Sequence, residues 1–249
     1  MARTSSVTPT NSLTTARQDN FNSKIVEYDC NGQKIKLSPT IIRSYLVNGG
    51  GNVTDQEVAM FLNLCRYQKL NPFLREAYLV KYGNNNATIV TGKETFEKRA
   101  FRNKAFKGKE AGVIILHEDG TTEDRIGSFA LTGENIVGGW AKVYVDGYVV
   151  PVQSRVSVSE YIGKKADGTP NNQWATKLGT MIRKVALVQA LREAFPEEYG
   201  GLYAQEEMSS NLGDVALNEA PVAVPDVPAA DIVVETDNQP TLFEDDPLG

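Results

Sequence analysis

Three short turns govern what this chain can become. Asn31-Gly32, Asp119-Gly120 and Asp146-Gly147 each stand between runs of β-forming residues, and such dipeptides readily take the positive backbone angles that a tight hairpin needs. The flanks agree: KIVEYDCNGQKIKL alternates apolar and polar positions about its turn, and GVIILHEDGTTEDRIGSFA and GGWAKVYVDGYVVPVQSRVSV repeat the arrangement later in the chain. AYLVKY and ATIVTG, separated by GNNN, read as a further hairpin. Strands joined so closely are antiparallel. Pro151, with no N–H to donate, marks an edge strand.

Helices fill the intervals. Ser38-Pro39 opens a short one, serine as N-cap and proline in the first turn. Thr54 and Glu57 form a capping box ahead of a helix that places Val58, Phe61, Leu62 and Cys65 on one face and ends before Asn71-Pro72. TGKETFEKRAFRNKAFKGK, residues 91–109, leaves a hairpin and continues as a basic helix studded with phenylalanine. VSVSEYIGKKADGTPNNQ passes from a short helical turn into the longest internal loop. Trp174 to Phe195 then predicts one long helix, with Met181, Val185, Val188, Leu191 and Phe195 in a broad stripe and Pro196 ending it. The class is α+β, a compact core of antiparallel β-hairpins packed with helices.

Charge divides the chain unevenly. The net charge is -5, yet residues 204–249 hold 11 acidic side chains and no lysine or arginine; without them 26 basic residues face 20 acidic ones, a net of +6. A basic body therefore carries an acidic, proline-bearing tail whose composition predicts disorder. The Ser- and Thr-rich first 22 residues read as a flexible arm. No apolar run approaches a membrane span and MARTSSVTPT lacks a signal-peptide core, so a soluble cytosolic protein is expected. Cys30, Cys65 and His117, the chain's two cysteines and single histidine, have no metal-ligand spacing. Cys65 reads as a buried hydrophobe and His117 as a satisfied surface residue.

Gly92-Lys93, between a strand and a helix, resembles the end of a phosphate-binding loop. The pattern fails where it matters: Ala87 stands in place of its first glycine, and Glu94 in place of the metal-binding hydroxyl. Nucleic acid suits the segment better. Lys93, Lys98, Arg99, Arg102, Lys104, Lys107 and Lys109 outnumber two acids, with Phe96, Phe101 and Phe106 interleaved. Cations can neutralise successive phosphates while an exposed ring stacks on a base; equally, Phe96 and Ala100 face a core and the lysines form a solvated surface. Arg183, Lys184 and Arg192 on the long helix, with Lys177 and Lys164-Lys165 upstream, make a continuous basic groove plausible. Catalytic motifs are absent from the sequence. Glu118-Asp119 and Glu123-Asp124 flank a turn, where solvated carboxylates are the rule, although such pairs can hold Mg²⁺ in a nuclease.

CRYQKLNPFLREAYLVKYG, IVTGKETFEKRA, GGWAKVYV and WATKLGTMIRKVALVQALREAFPEEYGGLY, in that order between about Thr54 and Tyr203, resemble the successive blocks of the RecT/Redβ (Bet) family of phage single-strand annealing recombinases. The resemblance implies an annealing-protein fold and a non-enzymatic protein that binds single-stranded DNA and anneals it to a complementary strand without ATP, with no cofactor and with Mg²⁺ at most modulating the step. It implies homo-oligomeric rings or helical filaments, an annealed duplex intermediate, a partner 5′→3′ exonuclease, a host single-stranded DNA-binding protein, no membrane, and the cytoplasm of a bacterium hosting a phage or prophage. Residues 23–203 become the DNA-binding, annealing and oligomerisation core, between the arm of residues 1–22 and the tail of residues 204–249. Asn71, Lys93, Arg99, Arg183, Lys184 and Arg192 occupy family blocks, Arg183 and Lys184 being the foremost DNA contacts; Lys98, Arg102, Lys104 and Lys177 join them on charge.

Two departures stand out. Leu178-Gly179-Thr180 occupies positions where the λ-type member has additional basic residues, and an acidic tail replaces that member's folded C-terminal module. LFEDDPLG, near the end of that tail, either solubilises the protein or competes with DNA for the basic groove. A coat protein that protects without annealing, a metal-dependent nuclease and a replication scaffold are the rival readings.

Overall fold

A computed structural model describes residues 21–165, 167–204 and 207. The expected arm lies almost wholly outside the described residues, and so does the tail beyond Glu207. Each hairpin signal folds as read. β1 (Val26–Cys30) pairs with β2 (Gln33–Leu37) across Asn31-Gly32. α1 (Pro39–Tyr45) follows, with Ser38 Oγ accepting from Ile41 N. A two-residue strand, β3 (Val47–Asn48), runs parallel to β4 (Ala77–Val80), and β4 pairs antiparallel with β5 (Thr88–Thr91).

The capping box forms between Thr54 and Glu57 and opens α2 (Asp55–Tyr67), which buries Val58, Phe61, Leu62 and Cys65 as its periodicity requires. Glu57 has a second task. Its carboxylate takes the ammonium of buried Lys81 at 2.7 Å and the N–H of Ala87 at 2.7 Å, fastening α2 to the β4–β5 hairpin. Burial alone would raise the Glu57 pKa, but Lys81 and the backbone donors outweigh it and hold the group at about 2.

Two hairpins that the sequence shows separately are one sheet. β6 (Phe106–Leu116) pairs with β7 (Thr122–Ile126) and, along almost its whole length, with β8 (Asn135–Val145); β9 (Val152–Ser157) closes the edge, in the order β7-β6-β8-β9. Pro151 immediately precedes that edge strand, consistent with its missing N–H. α3 (Lys93–Arg102) stops at Asn103 rather than continuing to Lys109, because the next residues belong to β6.

The long helix is also shorter than its periodicity suggests. A break at Lys177 separates α5 (Asn172–Thr176) from α6 (Leu178–Ala194); α4 (Val158–Tyr161) precedes them and α7 (Pro196–Tyr199) follows. α6 buries Met181, Ile182, Val185, Ala186, Leu187, Val188, Ala190 and Leu191, residues spread around its circumference instead of along one stripe. A helix apolar on so many sides belongs inside a core, and α6 packs across β6, β8 and β9 while touching α3, α5 and α7. Gly139 permits the approach. A Cβ there would stand 2.5 Å from the Ile182 carbonyl oxygen, and that backbone contact cannot yield without moving the helix.

The body does not end at Tyr203. Ala204 is buried and bridges to Thr91 in parallel, while Glu207 accepts from Ala204 N and pairs with Arg192. Among the described residues no helix is long and apolar enough to cross a membrane.

Candidate nucleic-acid interface

Gly92 explains the false phosphate loop. It stands at the N-cap of α3, donates its N–H to Glu76 O at 3.2 Å, and lies so close to the preceding turn that a Cβ would come within 2.8 Å of Arg75 O. Close packing, and not a converging ring of amides around an anion, requires glycine here. Phe96 and Ala100 fill the buried face of the helix, Phe96 stacking on Tyr199 with ring centroids 5.3 Å apart while the Tyr199 hydroxyl donates to Phe96 O at 2.7 Å. The core thereby sets how α3 is rotated.

That rotation places Lys93 and Glu97, one turn apart, toward β6. Glu97 pairs with Lys93 at 3.2 Å and also with Lys109. Two residues along the strand, Ala111 O accepts from Arg183 Nε at 3.2 Å, so α6 delivers a guanidinium to the same region. Three cations from three elements gather there, with the Glu97 carboxylate between Lys93 and Lys109. Burial, and then the charges of Lys93 and Arg183, pull the Lys109 ammonium down to about 8. Glu97 opposes that pull, but it is shared with Lys93, so burial and the two neighbouring cations prevail.

A pH dependence follows with a definite sign. Only protonated Lys109 attracts phosphate, so its contribution is complete below about pH 8 and disappears above it. Affinity for an oligo-dA strand, whose bases carry no proton that titrates in this range, is expected to fall about fivefold between roughly pH 7 and 9. Fluorescence anisotropy measures it. The fall should vanish in Lys109→Arg, and a flat wild-type profile would remove Lys109 from the interface.

The remaining basic residues divide into separate groups. Lys69, Lys98, Arg99 and Arg102 line a cleft of about 200 Å³ shared with Glu76 and Glu198. Lys98 pairs loosely with Glu76 at 3.7 Å, and Arg102 is exposed. Arg99 is different: its guanidinium donates to Gln68 Oε1 at 3.0 Å, to Gln68 O and to Glu198 O at 2.8 Å, which clamps α3 to the ends of α2 and α7. Burial lowers its pKa.

Asn71, expected as a DNA contact, is held within the fold. It is buried, its Oδ1 accepts from Phe73 N at 3.0 Å and Leu74 N at 3.4 Å, and its Nδ2 donates to Gln33 Oε1 at 3.3 Å. Arg192 is similarly engaged, pairing with Glu207 and lying 4.7 Å from the centre of the Tyr203 ring. Lys104 and Lys177 are exposed, in the α3–β6 turn and at the break before α6. Lys184 is half-buried beside Arg183, about 100° further around the helix, so the two do not present one face.

Lys109 is the residue whose role the sequence leaves hidden, since its cue is the alternation of FKGKE, a strand signal submerged in a helix-forming run. Among the aromatics, Phe101 is 69% exposed, and Phe106 is half-buried between Phe101 and Phe195, at centroid distances of 5.2 and 6.4 Å. Phe101 is thus the ring on α3 with a face to offer a base. The acidic pairs serve the protein: Asp119 accepts from Thr121, Glu123 pairs with Arg125 and His117, and Asp124 pairs with Arg155.

A family model described as the RecT family matches residues 33–222, a span that includes every site element from β2 onward. "Uncharacterized protein UU154" from Ureaplasma parvum serovar 3 is 28% identical over 185 residues, covering 73% of this chain and 75% of that protein.

Proposed function

The chain belongs to the RecT family, whose members act in DNA recombination by annealing single strands, and from that premise we propose that it holds single-stranded DNA on the surface built by Lys93, Lys109 and Arg183 and pairs it with a complementary strand without ATP. The convergence of those three cations from α3, β6 and α6 carries the reading. Exposed Phe101 supplies a stacking face, while Lys98 and Arg102, on the side of α3 turned away from Lys93, offer a separate positive cleft.

The chemistry asked of the protein is modest. Base pairing provides the free energy, so the protein neutralises phosphates, holds a strand extended and leaves base edges open. Contacts to the backbone without base readout make the process tolerant of sequence. No bond is made or broken, and Mg²⁺ at most modulates the annealing. Copies assemble along the strand as rings or helical filaments, the DNA comes from a partner 5′→3′ exonuclease, and a host single-stranded DNA-binding protein is a further partner.

Complementary labelled strands mixed with a low concentration of protein, EDTA and no ATP are expected to pair at least tenfold faster than strands alone, a rise of that order following from local concentration. Energy transfer between the labels reads the rate. Binding with no acceleration would leave a coat protein, and loss of strands on adding Mg²⁺ would indicate a nuclease.

A further inference from the structure

We propose that the acidic segment of residues 208–249 docks on the Lys93–Lys109–Arg183 surface and competes there with DNA, an inference that rests on the function just proposed. Placement is the first support. The parallel bridge between Ala204 and Thr91, and the bond from Thr91 N to Tyr203 O at 2.9 Å, lead the chain out beside the start of α3, two residues from Lys93. Glu207, the last described residue, already sits with its carboxylate on Arg192. An acidic chain thus departs from the edge of the basic surface.

Charge complementarity is the second support. Residues 208–249 contain nine acidic side chains and no lysine or arginine, and Glu244, Asp245 and Asp246 stand together near the end. About 37 residues separate Glu207 from Glu244, a contour on the order of 120 Å, against a body roughly 40 Å across. Reach does not limit the contact. A tethered anion is presented at an effective concentration near a millimolar, and even a ligand with a dissociation constant of about 0.1 mM would then lower DNA affinity about tenfold. Lys93 and Lys109 both pair with Glu97 and Arg183 joins them, so several cations stand within one region for a polyanion to meet.

The test uses the full chain with every acid from Asp214 to Asp246 changed to its amide, Ala204 and Glu207 remaining as they are because they belong to the body. At low salt this variant is expected to bind a labelled oligo-dT strand about tenfold more tightly than the wild type. A synthetic peptide of residues 208–249 should reverse the gain, and its all-amide counterpart should not. In the wild type, carbodiimide coupling should join tail carboxylates to Lys93 or Lys109, and excess oligo-dT should suppress it. Unchanged affinity in the amide variant, or coupling confined to other lysines, overturns the inference. The functional reading fails separately, if Lys93→Gln with Arg183→Gln leaves DNA binding intact in both backgrounds.

Discussion

Lys93→Gln combined with Arg183→Gln is expected to weaken single-stranded DNA binding about a hundredfold at roughly 50 mM salt, since each phosphate contact on a single strand contributes about 0.7 to the salt slope and so about tenfold at that concentration. The plot of log affinity against log salt should become shallower by about 1.4. Both side chains are half-buried on the body surface, and glutamine preserves most of their apolar stems, so the unfolding temperature should change little. An unchanged slope would show that neither residue meets a phosphate. Asn71→Ala should behave in the opposite manner, disturbing stability through its lost caps while leaving the slope untouched.

Phe96→Ala is expected to lower the unfolding free energy by about 3–5 kcal/mol, the usual range for removing a fully buried phenylalanine. The side chain is 0% exposed and stacks on Tyr199, whose hydroxyl bond to Phe96 O joins α3 to α7. A cavity here also loosens the rotation of α3 that directs Lys93, so annealing should decline more than the unfolded fraction accounts for. Urea titration with parallel annealing rates tests both parts. Phe101→Ala is the contrast. Its ring is 69% exposed, so stability should move by under about 0.5 kcal/mol, and binding should weaken by about 1–3 kcal/mol if the ring stacks on a base.

Much of the fold is legible because it depends on neighbours in the chain. Asn31-Gly32 turns a hairpin and Thr54 with Glu57 caps a helix through contacts within a few residues, and both appear as read. Family blocks carry the rest of the assignment. The failures share a cause: residues 104–109 resemble a helix until β8 offers β6 a long antiparallel partner, and ladder bonding then overrides local propensity. Arg99 and Arg192 look like their exposed counterparts in the sequence, yet Gln68, Glu198 and Glu207, brought from elsewhere in the chain, occupy them.

By itself, then, the sequence determined the antiparallel hairpins, the helix starts, the buried Phe96, the contrast of basic body and acidic tail, and the family, all of which are local or additive properties. Only the tertiary structure decided which cations meet. Lys93, Lys109 and Arg183 come together because Gly92 and Gly139 allow backbones to approach within a few ångströms, and because Phe96 fixes the helix that carries the first of them. Long-range electrostatic neighbours depend on packing between distant segments, and no periodicity along the chain records that packing.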